Sequence, residues 1–129
     1  MNTNINPKSI HKPIGAYSHS VRIPAGSDLL VVAGQVGMDA KGKLQGGIRK
    51  QAEQAFRNVL ACLKESGMSK RDLVRMQVFL TDPRHITDYR AARGKVMGEN
   101  AMPASTLLIV DGLASPDMLI EVEAMAAKG

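Results

Sequence analysis

Two periodicities divide the chain into predicted strands and helices. Alternation of apolar and polar residues, the two-residue period of a β-strand, predicts strands at 17–23, 74–80 and 118–126, and 102–110 is predicted as a further strand. An apolar run at 29–36 predicts a fifth strand. Because this run is apolar on both faces, we expect it to lie at the centre of a sheet.

Two other stretches follow the 3.6-residue period of an α-helix. Apolar residues recur at that spacing through 48–66, and Gly67 is a typical helix-ending residue. Asp82 followed by Pro83 is a helix-start signature, which predicts a second helix through about Gly98. The residues before position 13 are expected to form an arm whose order depends on its neighbours.

The predicted order, β-β-α-β-α-β-β, has no phosphate-loop glycine pattern. It favours an α+β fold in which both helices pack on one face of a mixed sheet. With 129 residues, the chain is long enough for one domain, residues 1–129, to bury its own core. Because the 29–36 strand is apolar on both sides, we also expect a homo-oligomer that packs sheets around an axis.

Three features of the pattern each allow two interpretations. In the predicted second helix, Arg93 occupies a position of the apolar stripe, and Arg90 lies one turn away. Either the arginines snorkel at a rim or a subunit interface, or a guanidinium is presented to an anion. In the last strand, Glu121 and Glu123 share one face, which is either the wall of a polar cleft or a solvent-facing edge. Gly34 marks either a bulge or a close approach to the backbone.

Two amides on the first helix, Gln51 and Asn58, lie on one line of its surface. We interpret them as structural, reaching the same neighbouring segment. The single cysteine, Cys62, excludes an internal disulfide framework, and its place on the apolar stripe predicts a buried small hydrophobe.

Composition and charge exclude several classes of function. The net charge of +5 comes from basic residues that are dispersed, and there is no Trp and 3% aromatic content, so no nucleic-acid site is expected. The three histidines lack metal-ligand spacing, and neither a metal nor another cofactor is predicted. Without a signal pattern or an apolar run long enough to span a bilayer, no membrane association is expected, and the cytoplasm is the default location.

Motifs along nearly the whole chain resemble those of the RidA/YjgF enamine and imine deaminases. They are 13–18 (PIGAYS), 32–35 (VAGQ), Gln51 with Asn58, 78–82 (VFLTD) and 120–126 (IEVEAMA). The resemblance implies a chorismate-mutase-like homotrimer with three clefts between subunits. Each cleft would bind a small molecule and be lined by Tyr17, the Gly34 region and the last two strands.

The family chemistry releases ammonia by adding water to an imine carbon, which needs a group to orient water and a cation for a substrate carboxylate. The resemblance implies that Glu121 and backbone groups of Ala33 and Gly34 serve the water. Relatives active on amino-acid imines carry Arg where this chain has Ser105, and a hydroxyl cannot supply that bidentate cation. One hypothesis is that Arg90 or Arg93 supplies it; an inter-subunit ion pair is the alternative.

Three functions remain open from the sequence. The leading one is a deaminase of an enamine or imine, with Tyr17 and Ser105 shaping the cleft. The second is a non-catalytic small-molecule-binding or chaperone-like trimer that has lost the catalytic cation. A ribonuclease, an activity attributed to parts of the family, fits the dispersed charge and scarce aromatic residues badly.

Overall fold

The computed structural model describes all 129 residues and contains six strands and two α-helices. The elements are β1 Thr3–Ile5, β2 Ser20–Arg22, β3 Asp28–Val36, α1 Gly47–Glu65, β4 Leu73–Leu80, α2 Ile86–Met97, β5 Ala104–Ile109 and β6 Ile120–Lys128. Short 3₁₀ turns precede β4 and α2. Neither helix has the length and apolar character needed to cross a membrane.

Four strands form one mixed sheet in the order β3-β6-β4-β5, in which β4 and β5 are parallel and the other pairs antiparallel. The alternation along β6 decides which face the helices cover. Ile120 and Val122 are fully buried, whereas Glu121, Glu123 and Met125 on the other face are partly exposed. The predicted α+β fold, with two helices on one face of a mixed sheet, is confirmed.

The core lies between that sheet face and the helices. Phe56 and Val59 of α1 are fully buried together with Met76 and Val122 from the sheet. The ring of Phe56 also lies 6.0 Å, between centroids, from the ring of Tyr89 on α2, which joins the two helices. This packing fixes the position of α2 beside the edge strand β5.

Strand β3 is an edge strand, so the prediction that 29–36 lies centrally was wrong. No element of the same chain covers its second apolar set: Leu29 is 59% exposed and Val31 74% exposed. One face of β3 packs under the helices and the other belongs to the open face of the sheet. The N-terminal arm also contains a strand, because β1 pairs with β2 in a separate two-stranded sheet.

The two amides of α1 are structural, as predicted, although they reach different segments. Gln51 donates to the carbonyl oxygens of Gln45 and Asp117 and accepts from the amide of Leu119. Asn58 donates to the carbonyl oxygens of Val36 and Met38, at the end of β3. Cys62 was expected to be buried, but it is only partly buried and packs against the outside of the core.

Candidate functional site

A cavity of about 510 Å³ lies between α2, β5 and the segment that precedes β2. Helix α2 forms one wall with Tyr89, Arg90 and Arg93, and β5 forms a second with Ser105 and its neighbours. The third wall is 14–17, which includes Tyr17. Its volume is within the range of small-molecule sites in proteins.

The segment carrying Tyr17 is tied to the start of β5. Ser18, which is 3% exposed, donates its amide to the carbonyl oxygen of Pro103 over 3.1 Å and its hydroxyl to that of Met102 over 2.7 Å. The Tyr17 hydroxyl accepts from the amide of Ile14 over 3.3 Å. These bonds hold the phenol at the cavity.

Arg93 is the buried cation of the cavity. Arg93 is 4% exposed. Its side chain makes one hydrogen bond, from Nη2 to the carbonyl oxygen of Ala101 over 3.1 Å. None of the five ion pairs in the chain includes it. Burial lowers the pKa of Arg93 below its usual range, but an arginine remains protonated at neutral pH. The chain therefore buries a guanidinium without a carboxylate beside it.

Arg90 lies three residues earlier on α2 and contributes to the same cavity. Unlike Arg93 it is exposed, and it too takes part in none of the ion pairs. Both arginines thus line the cavity, Arg93 in its depth and Arg90 at its rim.

Tyr89 of α2 also lines the cavity, although it was not predicted as a site residue from the sequence. It is 7% exposed, and burial raises its pKa above the usual 10.0. The charges of Arg93 and Arg90 and the hydroxyl of Ser105 oppose that rise without reversing it, so the phenol is neutral at neutral pH. Its position one turn before Arg93 was the signal that could have identified it.

Glu121 and Ser105 lie on opposite faces of the sheet. Ser105 pairs with Met76, whose side chain is fully buried beneath the helices. Glu121 pairs with Phe79 on the open face, because it alternates with the buried Ile120. The structure therefore brings Tyr17, Arg90, Arg93 and Ser105 together and separates them from Glu121, Ala33 and Gly34.

Gly34 packs against Glu121 on that open face. Val32 pairs with Ala124 and Gln35 pairs with Val122. Two residues of β3, Ala33 and Gly34, therefore lie opposite a single residue of β6, which makes a β-bulge. A Cβ atom at Gly34 would lie 2.7 Å from Cδ and 2.9 Å from Cγ of Glu121. Gly34 therefore provides both a bulge and a close approach, the two alternatives left open from the sequence.

No cluster of three or more His, Cys, Asp or Glu side chains in the chain could hold a metal ion.

Comparison with known proteins gives consistent matches. The family described as endoribonuclease L-PSP matches residues 8–128. A RutC family protein of Pyrococcus abyssi is 34% identical over 119 residues, covering 91% of this chain and 90% of the relative. A 2-iminobutanoate/2-iminopropanoate deaminase of Rattus norvegicus is 33% identical over 120 residues, covering 90% and 82%. A Rid-family crystal structure from Yersinia pestis superposes with a TM-score of 0.84, at 28% identity and 97% coverage of both chains.

Proposed function

The chain belongs to the L-PSP (RidA/YjgF) family, and on that premise we propose that it is a hydrolytic deaminase of an enamine or imine that carries a carboxylate. The observation that carries the proposal is Arg93, a buried cation that has no acidic partner and lines a cavity of about 510 Å³. Leaving a charge unpaired in a protein interior is unfavourable, so a site of this kind is suited to an anionic ligand.

The guanidinium of Arg93 takes the role of the arginine that relatives carry at the position of Ser105. Both residues line the same cavity, so a cation on the helix serves the space that a cation on the strand would serve. A guanidinium can hold a carboxylate through two parallel hydrogen bonds. Arg93 has donors free for this purpose, since its side chain makes one hydrogen bond within the chain.

The group that orients water is Glu121, supplied by a neighbouring subunit of a homotrimer. In one chain Glu121 and the cavity lie on opposite faces of the sheet, so a single chain does not assemble the complete site. The open face also exposes Leu29, Val31 and Leu108, by 59%, 74% and 41%. An apolar surface of this kind favours burial against another copy.

The proposed reaction is hydrolysis. Water adds to the imine carbon while Glu121 accepts one of its protons and returns it to the imine nitrogen, which gives a carbinolamine. The carbon–nitrogen bond then breaks as the hydroxyl proton of the carbinolamine passes to the nitrogen, so that ammonia leaves and a keto acid remains. Arg93 holds the carboxylate throughout, which keeps the imine carbon in one place for the attacking water. Tyr17 and the neutral phenol of Tyr89 supply hydrogen-bond donors beside the departing nitrogen.

Ammonia release from 2-iminopropionate tests the proposal. We expect Arg93→Gln to lower kcat/KM by about 10- to 100-fold, the effect of losing a charge-assisted hydrogen bond. Glu121→Gln should lower kcat. Lys50→Gln, which removes an exposed cation outside the cavity, should change neither. Unchanged kinetics in both site variants would refute the assignment.

The rival is a non-catalytic binding or chaperone-like trimer, favoured by the serine at position 105. It predicts that 2-oxobutanoate binds while no imine releases ammonia. A Ser105→Arg variant distinguishes the two further: a gain of activity on 2-iminopropionate would argue against Arg93 as the replacement cation. RNA cleavage that survives strict purification would support a ribonuclease instead.

A further inference from the structure

Two cations with no acidic partner line one cavity, and a single carboxylate uses one of them. Arg90 and Arg93 are three residues apart on α2 and therefore project from the same side of the helix. Neither forms an ion pair within the chain. Two cations on one side of the helix both make the potential of the cavity more positive, and a ligand with two negative charges can be attracted by both.

The depths of the two arginines indicate how those charges are arranged. Arg93 is 4% exposed and Arg90 is exposed at the rim. Two cations at different depths suit two anionic groups separated along the ligand. A single compact group such as a phosphate would meet one of them. Ile14, Met102 and Leu107 line the same cavity, and their apolar surfaces suit a short hydrocarbon link between the two anionic groups.

One acidic residue also lines the cavity, and removing it should have the opposite effect on anion binding to removing an arginine. Glu99 lines the cavity, is exposed, and forms no ion pair with Arg90 or Arg93. Its carboxylate repels an anionic ligand near the rim. Removing it should therefore strengthen the binding of a second ligand carboxylate.

We infer that the cavity selects dicarboxylates: Arg93 binds the carboxylate next to the reacting carbon and Arg90 binds a second one at the far end of the ligand. This inference rests on the proposed function, and within it the substrate class is the imine of an acidic amino acid. The thermodynamic signature is a preference for 2-oxo dicarboxylic acids over 2-oxo monocarboxylic acids of the same length.

Calorimetric titration of the assembled protein with 2-oxoglutarate and 2-oxopentanoate measures that preference, because the two ligands have the same carbon number. At low ionic strength we expect 2-oxoglutarate to bind about tenfold more tightly, with the ratio falling as salt is added. Arg90→Gln should bring the ratio close to one, because it should weaken 2-oxoglutarate far more than 2-oxopentanoate. Glu99→Gln should tighten 2-oxoglutarate about threefold, and the control Lys50→Gln should change neither ligand.

The outcomes separate this inference from the proposed function. Equal affinities, or inorganic phosphate binding more tightly than 2-oxoglutarate, overturn the inference. Equal rates of ammonia release from 2-iminoglutarate and 2-iminopentanoate also overturn it and leave the deaminase standing. A dicarboxylate preference that depends on Arg90, without ammonia release from either imine, upholds the ligand class and overturns the reaction.

Discussion

Substituting Gly34 by alanine should displace the Glu121 carboxylate while leaving the fold intact. The added Cβ would lie 2.7 Å from Cδ and 2.9 Å from Cγ of Glu121, whereas carbon atoms in contact lie about 3.5–4.0 Å apart. The three atoms nearest to the added Cβ, Oε2, Cδ and Cγ, all belong to the flexible side chain of Glu121, which can turn away to make room. Its Cδ must move by about 1 Å, and its oxygens move with it.

That movement should affect the reaction rate much more than the free energy of unfolding. A change to a less favourable side-chain conformation costs about 0.5–1.5 kcal/mol, and replacing glycine by alanine in a strand recovers roughly 0.5–1 kcal/mol. The free energy of unfolding should therefore change by less than about 1 kcal/mol. A reacting group misplaced by about 1 Å can lower the rate on the order of 100-fold.

Urea unfolding and ammonia release, measured on the same preparation, separate the two effects. Gly46→Ala is the matched control, because Gly46 has an ordinary φ of −86° and no atom within 4 Å of an added Cβ. It should be neutral in both assays. In a double-mutant cycle, Gly34→Ala should add little to the defect of Glu121→Gln, because both act on one carboxylate. Wild-type activity in Gly34→Ala, or additive defects, would refute the role of that carboxylate.

Three further predictions concern the scaffold and its titration. Gly37→Ala should destabilise the fold by about 3 kcal/mol in urea unfolding, because its Cβ would lie 2.6 Å from Cβ and 2.7 Å from the carbonyl oxygen of Gln51; a change below about 1 kcal/mol would contradict this packing. Gln51→Ala should cost about 3 kcal/mol, since its amide makes three hydrogen bonds that join α1 to 45 and 117–119; an equal loss in Gln54→Ala would show that the effect is not specific to them. Hydrogen bonds from the Arg84 side chain and amide lower the pKa of Asp82 from 3.8 to about 2. The ionised Asp82 carboxylate therefore stabilises the fold fully above pH 3.8, and this contribution is lost as the pH falls through 2. In Arg84→Gln the Asp82 resonance should titrate nearer 3.8 by carboxyl NMR, and an unmoved titration would contradict the attribution.

Elements whose apolar periodicity continues over many residues could be predicted from the sequence. Very short strands could not, nor could the place in the sheet of a strand that is apolar on both faces. Nineteen residues of α1 keep the helical period, and its predicted extent, 48–66, differs from Gly47–Glu65 by one residue at each end. β1 has three residues, of which two are exposed, so it has no periodic signal. For β3 the apolar pattern was identified correctly, but apolar residues on the open face and in a covered sheet look the same in sequence.

The candidate site shows the same limit at the level of single side chains. Helical spacing placed Arg93 in the apolar stripe, and it is indeed buried. The spacing could not show that Arg93 meets no acid, because the partners of a helix depend on how β5 and the Tyr17 segment pack beside it. Nor could the alternation along β6 show that Ser105, on another strand, lies on the face opposite to Glu121.

The proposed sharing of one site between two subunits is tested most directly by mixing two impaired variants. Arg93→Gln and Glu121→Gln each remove one half of the proposed site, so each assembly alone should keep at most about a tenth of the wild-type activity. When equal amounts are unfolded together and reassembled, one site in four receives both intact residues, and about a quarter of the wild-type ammonia release should return. Mixtures that remain no more active than the separate variants, although mass spectrometry shows that mixed assemblies have formed, would contradict a site built from Arg93 of one chain and Glu121 of the next.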